Sequence, residues 1–246
     1  MSQFSALAYR FKNGELFEIK NPHIPRLDEL LNIEYQKREL YINTLQFVKG
    51  FDANDALLWG DSGTGKSSLI KALLGEFANS GLRLIQVYKS DVEHISELYE
   101  ALREAKERFI LFFDDLNFGK NDEMMYVLKS ILEGDVEERP KNCIVYATSN
   151  RRNIVYQGNE SSKFESDDIA SELSLAQRFG LRLAFKVGSQ EDFLKVVFKN
   201  LEGIEVSEGL IREKALLWGR ERGFSARSAI QFIKYIKGRL SLGLVS

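Results

Sequence analysis

The sequence has one cysteine, Cys143, and two histidines, His23 and His94. An internal disulfide is therefore excluded, the composition argues against a Cys/His metal site, and any metal should be held by oxygen ligands. Only three of the 246 residues are proline, and 44% are hydrophobic. That composition excludes a disordered, collagen-like or low-complexity protein, and a chain of this length can bury roughly 73% of its unfolded surface. No apolar run approaches the roughly 20 residues needed to span a bilayer. The opening MSQFSALAYRFKNGE lacks a basic leader followed by a long apolar stretch, so a cytoplasmic protein without membrane contact is expected. An excess of either charge is missing too. Against 34 Lys and Arg stand 36 Asp and Glu, a formal charge of -2, which gives no broad attraction for a phosphate backbone or an anionic membrane. Nucleic-acid contact, if made, must be local.

What is present is alternation. Residues 25–49 place Leu27, Leu30, Leu31, Tyr35, Leu40 and Phe47 at broadly helical spacing, broken near Asn43, which reads as one long helix or two short ones. From Ala56 onward, short apolar runs alternate with amphipathic stretches: ALLW, a helix over 66–78, LRLIQVY, a helix over 92–106, RFILFF, a helix over 122–133, CIVYA, a loop and LRLAFKV. Five strands alternating with helices predict an α/β fold, a parallel sheet wrapped on both faces. Residues 158–172 carry Glu160, Glu165, Asp167, Asp168 and Glu172 against Lys163 and read as a solvated loop. After Gly188 come three helical patterns, 190–201, 207–222 and 225–240, expected to form a small lid. The expected organisation is an N-terminal helical segment (1–53), a P-loop core (54–188) and a C-terminal helical lid (189–246).

The string GDSGTGKSS fills positions Gly60, Asp61, Ser62, Gly63, Thr64, Gly65, Lys66, Ser67 and Ser68, between a strand-like run and a helical one. This is the strand, loop, helix context of a phosphate-binding loop. Gly60, Gly63 and Gly65 let backbone N–H groups converge on phosphate oxygens, and the helix N-terminus adds partial positive charge. Lys66 would reach the β- and γ-phosphates, and the Ser67 hydroxyl would sit on Mg²⁺.

RFILFFDD places Asp114 and Asp115 at the carboxyl end of a strand apolar enough to be buried on both faces, where ligands of open α/β sheets sit. Asp114 would hold Mg²⁺ through water, and Asp115 would orient or deprotonate the attacking water. Asn150 ends the next apolar run, YATSN, and could hold a water between Asp115 and the γ-phosphate. Arg151 and Arg152 follow at once and, with Lys120, could form a small basic edge facing a neighbouring subunit, a nucleic-acid strand or solvent. Arg178, in SLAQRFGL, is a candidate arginine finger for an adjacent protomer. Arg227 follows Ser225, a candidate N-cap, so its charge lies at the positive end of a helix, where an anionic phosphate would compensate it. No guanine-reading NKxD string follows the P-loop, which favours ATP over GTP.

This order of motifs resembles the AAA+ ATPases. The strings LLWGDSGTGKSS, RFILFFDDLNF, YATSNRRN and SLAQRFGL are similar to one bacterial branch, the domain-of-unknown-function family 815 predicted ATPases, over about residues 56–227. The resemblance implies the roles above for Lys66, Ser67, Asp114, Asp115, Asn150, Arg178 and Arg227. It also implies a homo-oligomer in which Arg178 acts in trans. Most AAA+ members end the acidic strand with Asp-Glu, so Asp114-Asp115 is one methylene shorter at the position expected to polarise water. The same ending resembles the replication-initiator and helicase-loader branch. Two functions are expected: an ATP hydrolase with Mg²⁺ that remodels an unknown protein or nucleic-acid partner, and an ATP-gated switch or loader with negligible hydrolysis. A phosphotransferase would need an acceptor-binding lid, whereas residues 91–108 show only an amphipathic helix.

Overall fold

The structure is a computed structural model describing residues 4–116, 123–133, 138–150, 175–204 and 206–244. Its centre is a seven-stranded sheet made of β1 (Ala8–Lys12), β2 (Glu15–Glu18), β3 (Ala56–Gly60), β4 (Leu82–Val87), β5 (Arg108–Phe113), β6 (Cys143–Ser149) and β7 (Leu181–Phe185). The spatial order is β2-β1-β4-β5-β6-β3-β7. β1 and β2 pair antiparallel and every other pair is parallel. Five of these strands are those expected from the sequence; the other two correct the expectation of a helical segment over 1–53. Lys12-Asn13-Gly14-Glu15 is a two-residue hairpin, with Asn13 and Gly14 both at positive φ, the conformation that Asn-Gly adopts most readily. In β1, Tyr9 and Phe11 turn inward while Arg10 and Lys12 face solvent, so the hairpin extends the sheet by strand alternation.

The helices α1 (Glu34–Val48), α2 (Lys66–Phe77), α3 (Ile95–Arg103) and α4 (Glu123–Glu133) cover the sheet. β5 shows why both faces must be covered. Phe109, Leu111 and Phe113 join one hydrophobic cluster with Leu98 and Leu102 of α3 and Leu128 of α4. Ile110 and Phe112 join the other, with Leu40 of α1 and Leu69 and Leu73 of α2. A strand buried on both sides reads as a continuous apolar run, as RFILFF does.

α1 passes through Asn43 without the expected break. Asn43 and Thr44 face inward, where their polar groups are used: the Asn43 amide donates to the Asn54 carbonyl (2.8 Å) and the Tyr146 hydroxyl (3.0 Å), and the Thr44 hydroxyl lies 2.8 Å from the latter. Burial pushes the Tyr146 phenol up to about 12, so it stays neutral and can both donate and accept. The helix expected over 92–106 begins instead as a tight 3₁₀ turn, Lys89–His94, and α3 ends at Arg103. Buried Asp91 accepts the Asn13 N–H at 2.9 Å and ties that turn to the hairpin.

Three further helices, α5 (Gln190–Leu201), α6 (Glu208–Arg222) and α7 (Ala226–Ser241), enclose a third cluster around Phe193, Val197, Ile211, Phe232 and Ile236. Ser189, Ser207 and Ser225 cap them, Ser189 in a full capping box with Asp192. The stretch before α1 bridges to this lid: Leu31 packs on its core, the Asn32 amide donates to the Asp192 carbonyl, and Lys199 donates to the Asp28 carbonyl. Among the described residues no helix is long and apolar enough to cross a membrane. The acidic stretch 158–172, Lys120, Arg151 and Arg152 lie outside the described residues.

Candidate functional site

The phosphate-loop candidate leaves the sheet at β3, whose last residue, Gly60, pairs with Phe185 of β7. Gly60 has φ +125°, and a Cβ there would fall on the Phe185 carbonyl oxygen, so only glycine permits this approach. The Asp61 N–H donates to that same oxygen (2.9 Å), and the Asp61 carboxylate accepts the Val187 N–H (3.0 Å), fastening the loop to the strand beside it. Gly63 and Gly65 also have positive φ. Gly65 is the N-cap of α2 and has no side chain to cap the helix. The first N–H groups of α2, around Lys66, Ser67 and Ser68, therefore point toward the loop as anion donors.

Lys66 is buried, and its ammonium donates to the carbonyls of Gly60 (2.9 Å) and Asp61 (2.7 Å), so the loop winds around a cation. Burial holds that ammonium below the ordinary lysine range; the carboxylates of Asp115 and Asp61 oppose the shift, and the Arg227 charge adds to it. Thr64 closes the loop from within by donating to the Asp61 carbonyl.

The acids arrive from the neighbouring strands. Phe113 of β5 pairs with Ala147 of β6, which puts Asp114 beside Thr148 just past the last paired residues. Ser67 Oγ donates to Asp114 Oδ1 at 2.6 Å, and Thr148 Oγ1 donates to the same oxygen at 2.8 Å. The Thr148 hydroxyl also accepts the Asp115 N–H at 2.8 Å. Asn150 Nδ2 donates to Asp115 Oδ1 at 2.6 Å. Ser67, Asp114, Thr148, Asp115 and Asn150 thus form one hydrogen-bonded chain. Asp115 sits at φ +59°, a left-handed conformation that Asp tolerates better than most residues; the adjacent Leu116 N–H bonds to the Thr148 carbonyl at 2.7 Å and helps hold it.

The donor set suits a hard cation: a hydroxyl and a carboxylate oxygen 2.6 Å apart, able to take Mg²⁺ when phosphate oxygens and waters complete the shell. Among the described residues no cluster of three or more His, Cys, Asp or Glu could hold a metal by protein alone. Cys143 is buried, and burial pushes its thiol up to about 12, so it is inert as a ligand or nucleophile.

Arg227 comes to the loop from the lid. Its backbone N–H donates to the Gly63 carbonyl (3.1 Å), and its guanidinium lies 3.4 Å from Ser62 Oγ. Arg178 does not join the group. It precedes β7, whereas the loop stands level with that strand's far end, and about 13 Å of strand separates the two ends. Its side chain is exposed, and its charge reaches Lys129 of α4, whose ammonium is lowered chiefly by burial and secondarily by Arg178.

Sequence reasoning missed Thr148, Ile33 and Gln36. Thr148 reads as an ordinary strand residue, and only the β5–β6 register exposes its position. Ile33, at the N-terminus of α1, lies 3.7 Å from where a Cβ on Gly65 would be and forms an apolar wall beside the loop. Gln36 donates to the Ala184 carbonyl at 2.7 Å and ties α1 to β7.

The solved structures that resemble this chain include the RuvB Holliday junction branch migration motor of Thermotoga maritima, with TM-score 0.58, 18% identity, 88% of this chain and 65% of that chain covered. The Aeropyrum pernix ORC1 protein, solved in complex with DNA, gives TM-score 0.57 at 17% identity, covering 83% of this chain and 61% of that one. The Escherichia coli HORMA:CdnC:Trip13 complex contains a chain matched with TM-score 0.53 at 15% identity, covering 85% and 90%. This chain thus spans about two thirds of the RuvB and ORC1 chains, and the likeness at such identities is one of fold, that of the AAA+ ATPases. No curated protein matches it. The model of one family, described as Protein of unknown function (DUF815), matches residues 2–240, and the chain belongs to that family.

Proposed function

We propose that this protein is a cytoplasmic, Mg-dependent ATP hydrolase whose turnover drives remodelling of a protein or nucleic-acid partner. The observation that carries this reading is the hydrogen-bonded chain that starts at Ser67, next to Lys66, and runs through Asp114 and Thr148 to Asp115 and Asn150. The α2 N-terminus and the loop N–H groups hold the phosphates of ATP, and Lys66 neutralises the β- and γ-oxygens. Ser67 and Asp114 would hold Mg²⁺, which supplies charge neutralisation across the phosphates. Asp115 accepts the proton of the attacking water, and Asn150 fixes the rotamer of that carboxylate so that one oxygen faces the water. Arg227 carries the nucleotide state into the lid. Arg178, beyond reach of its own loop, completes the site of a neighbouring protomer in a homo-oligomer and stabilises charge on the transferring phosphoryl group.

A second reading, an ATP-gated switch or loader with negligible turnover, is favoured by Asp115 itself. Its carboxylate is one methylene shorter than glutamate and already engaged by Asn150 at 2.6 Å. Steady-state phosphate release from ATP with Mg²⁺, measured across protein concentrations for wild type and Arg178→Ala, decides between the two. Specific activity that rises with concentration and vanishes in the variant is expected. Tight ATP binding without release above background would move the assignment to the switch.

A further inference from the structure

We infer that the outer face of the lid helices α6 and α7 binds single-stranded nucleic acid. The face carries a ladder of four side chains. The rings of Trp218 on α6 and Tyr235 on α7 lie 5.1 Å apart at an interplanar angle of 41°. The Arg222 guanidinium lies over Trp218 at 4.0 Å, and the Arg239 guanidinium over Tyr235 at 4.5 Å. Trp218 is anchored from beneath by an edge contact with Phe232 of the lid core, at 5.9 Å between centroids. The ladder is therefore braced by the core and open to solvent at its arginine ends, with Tyr235 40% exposed.

Charge chooses the occupant. Leaving out Arg227, which faces the phosphate loop, α6 and α7 hold seven cations, Arg212, Lys214, Arg220, Arg222, Lys234, Lys237 and Arg239, against three carboxylates, Glu208, Glu213 and Glu221, in a chain whose formal charge is -2. Glu221 pairs with Arg222 at 2.8 Å and Glu208 with Arg212 at 3.6 Å, which leaves a surplus of positive charge on the two helices. Fastening α6 to α7 needs a ring pair and no such surplus of like charge, whose mutual repulsion a polyanion would relieve. An acidic protein would satisfy the charges and leave the flat guanidinium and ring surfaces unused. Unpaired bases use both, stacking on guanidinium and aromatic planes while their phosphates meet the surplus cations of the two helices. A duplex presents phosphates and hides its base faces.

The ladder is also connected to the candidate nucleotide site. Arg227, whose N–H bonds to Gly63, begins the same helix on which Tyr235 stands eight residues later, about 12 Å along the axis. α7 is one rigid element with the phosphate loop at one end and the strand-binding face at the other. This names the partner class that the proposed remodelling leaves open and relies on that reading only for its purpose, since binding is measured without ATP.

The test is fluorescence anisotropy of a labelled oligothymidylate about 20 nucleotides long, titrated with the full chain at several salt concentrations. Binding should weaken log-linearly with salt, with a slope of about -0.7 for each phosphate neutralised. The double variant Tyr235→Ala/Arg239→Ala should weaken it about tenfold or more, whereas Tyr235→Phe, which keeps the ring, should bind as wild type does. ATP hydrolysis measured without nucleic acid should be equal in all three proteins, which separates failure of this face from failure of the catalytic reading. No binding at low salt, equal binding by the double variant, or capture of phosphatidylserine vesicles in place of the oligonucleotide would overturn the assignment.

Discussion

Two groups of residues converge on the phosphate loop, and they are fastened very differently. On the sheet side, Ser67, Asp114, Asp115 and Asn150 are joined through Thr148 by four hydrogen bonds of 2.6 or 2.8 Å, Ser67 from the start of α2 and the others from β6 or the ends of β5 and β6, strands buried on both faces. On the lid side, Arg227 gives the loop one backbone hydrogen bond at 3.1 Å and a side-chain approach of 3.4 Å to Ser62, and Ser225 packs beside Gly63. On the proposed function the acids would be held in place before they act, because hydrogen bonds from Ser67, Thr148 and Asn150 already fix their rotamers. On the proposed function the lid, which has its own core, would be the half whose angle follows the nucleotide. On that reading electrostatic preorganisation would belong to the first half and signalling to the second.

Removing the cation at the centre breaks both halves together. Lys66→Ala should abolish ATP binding, read by fluorescent-nucleotide titration, since nothing else fills the loop. Because burial depresses the Lys66 ammonium and bound phosphates would restore it, binding should take up protons at alkaline pH. Affinity should therefore fall as pH rises through the free-state value, as titration calorimetry in buffers of differing ionisation enthalpy would reveal.

Asp115→Ala attacks the sheet side alone. ATP affinity should hold while phosphate release falls by about 10²–10⁴-fold, the usual contribution of a positioned base. Unchanged turnover would sink the assignment of the base. Thr148→Val keeps shape and removes the hydroxyl that joins the two acids. The expected cost is about 1 kcal/mol of stability in urea titration, from the lost part-buried hydrogen bond of the Asp115 N–H, and a fall in turnover of about tenfold. A smaller effect is expected from the lid. Arg227→Ala should weaken ATP a few-fold and leave the melting temperature of the nucleotide-free protein unchanged, since its guanidinium approaches Ser62 at a long 3.4 Å. A large loss of stability would show the lid to be as firmly fastened as the sheet.

The parts legible in the sequence were those where one residue type alone satisfies the backbone or the chemistry. Gly60, Gly63 and Gly65 had to be glycine, and RFILFF had to be a strand buried twice over, so the loop and the acids could be placed before the fold was seen. The Asn13-Gly14 hairpin is equally legible by turn chemistry, which the helical spacing after residue 25 does not reach. Asn43 misled in the opposite sense: a polar residue on the buried face of α1 looks like a break until Tyr146 and Asn54 supply its partners. Thr148 and Ile33 could not be found by any local rule, because their positions follow from strand register and from the path of α1 past Gly65. Arg178 was legible as a candidate, and its distance from its own loop emerges only from the parallel register of β3 and β7.

The most direct measurement follows from the division between what each protomer fixes for itself and what reaches the site from outside. Arg178→Ala keeps a complete set of acids, and Asp115→Ala keeps the arginine. Each protein alone should bind ATP and release almost no phosphate, whereas an equal mixture should regain activity at interfaces where an intact acid set meets an intact arginine. A mixture as inactive as its components, with both proteins assembled and ATP bound, would contradict completion of the site by a neighbour.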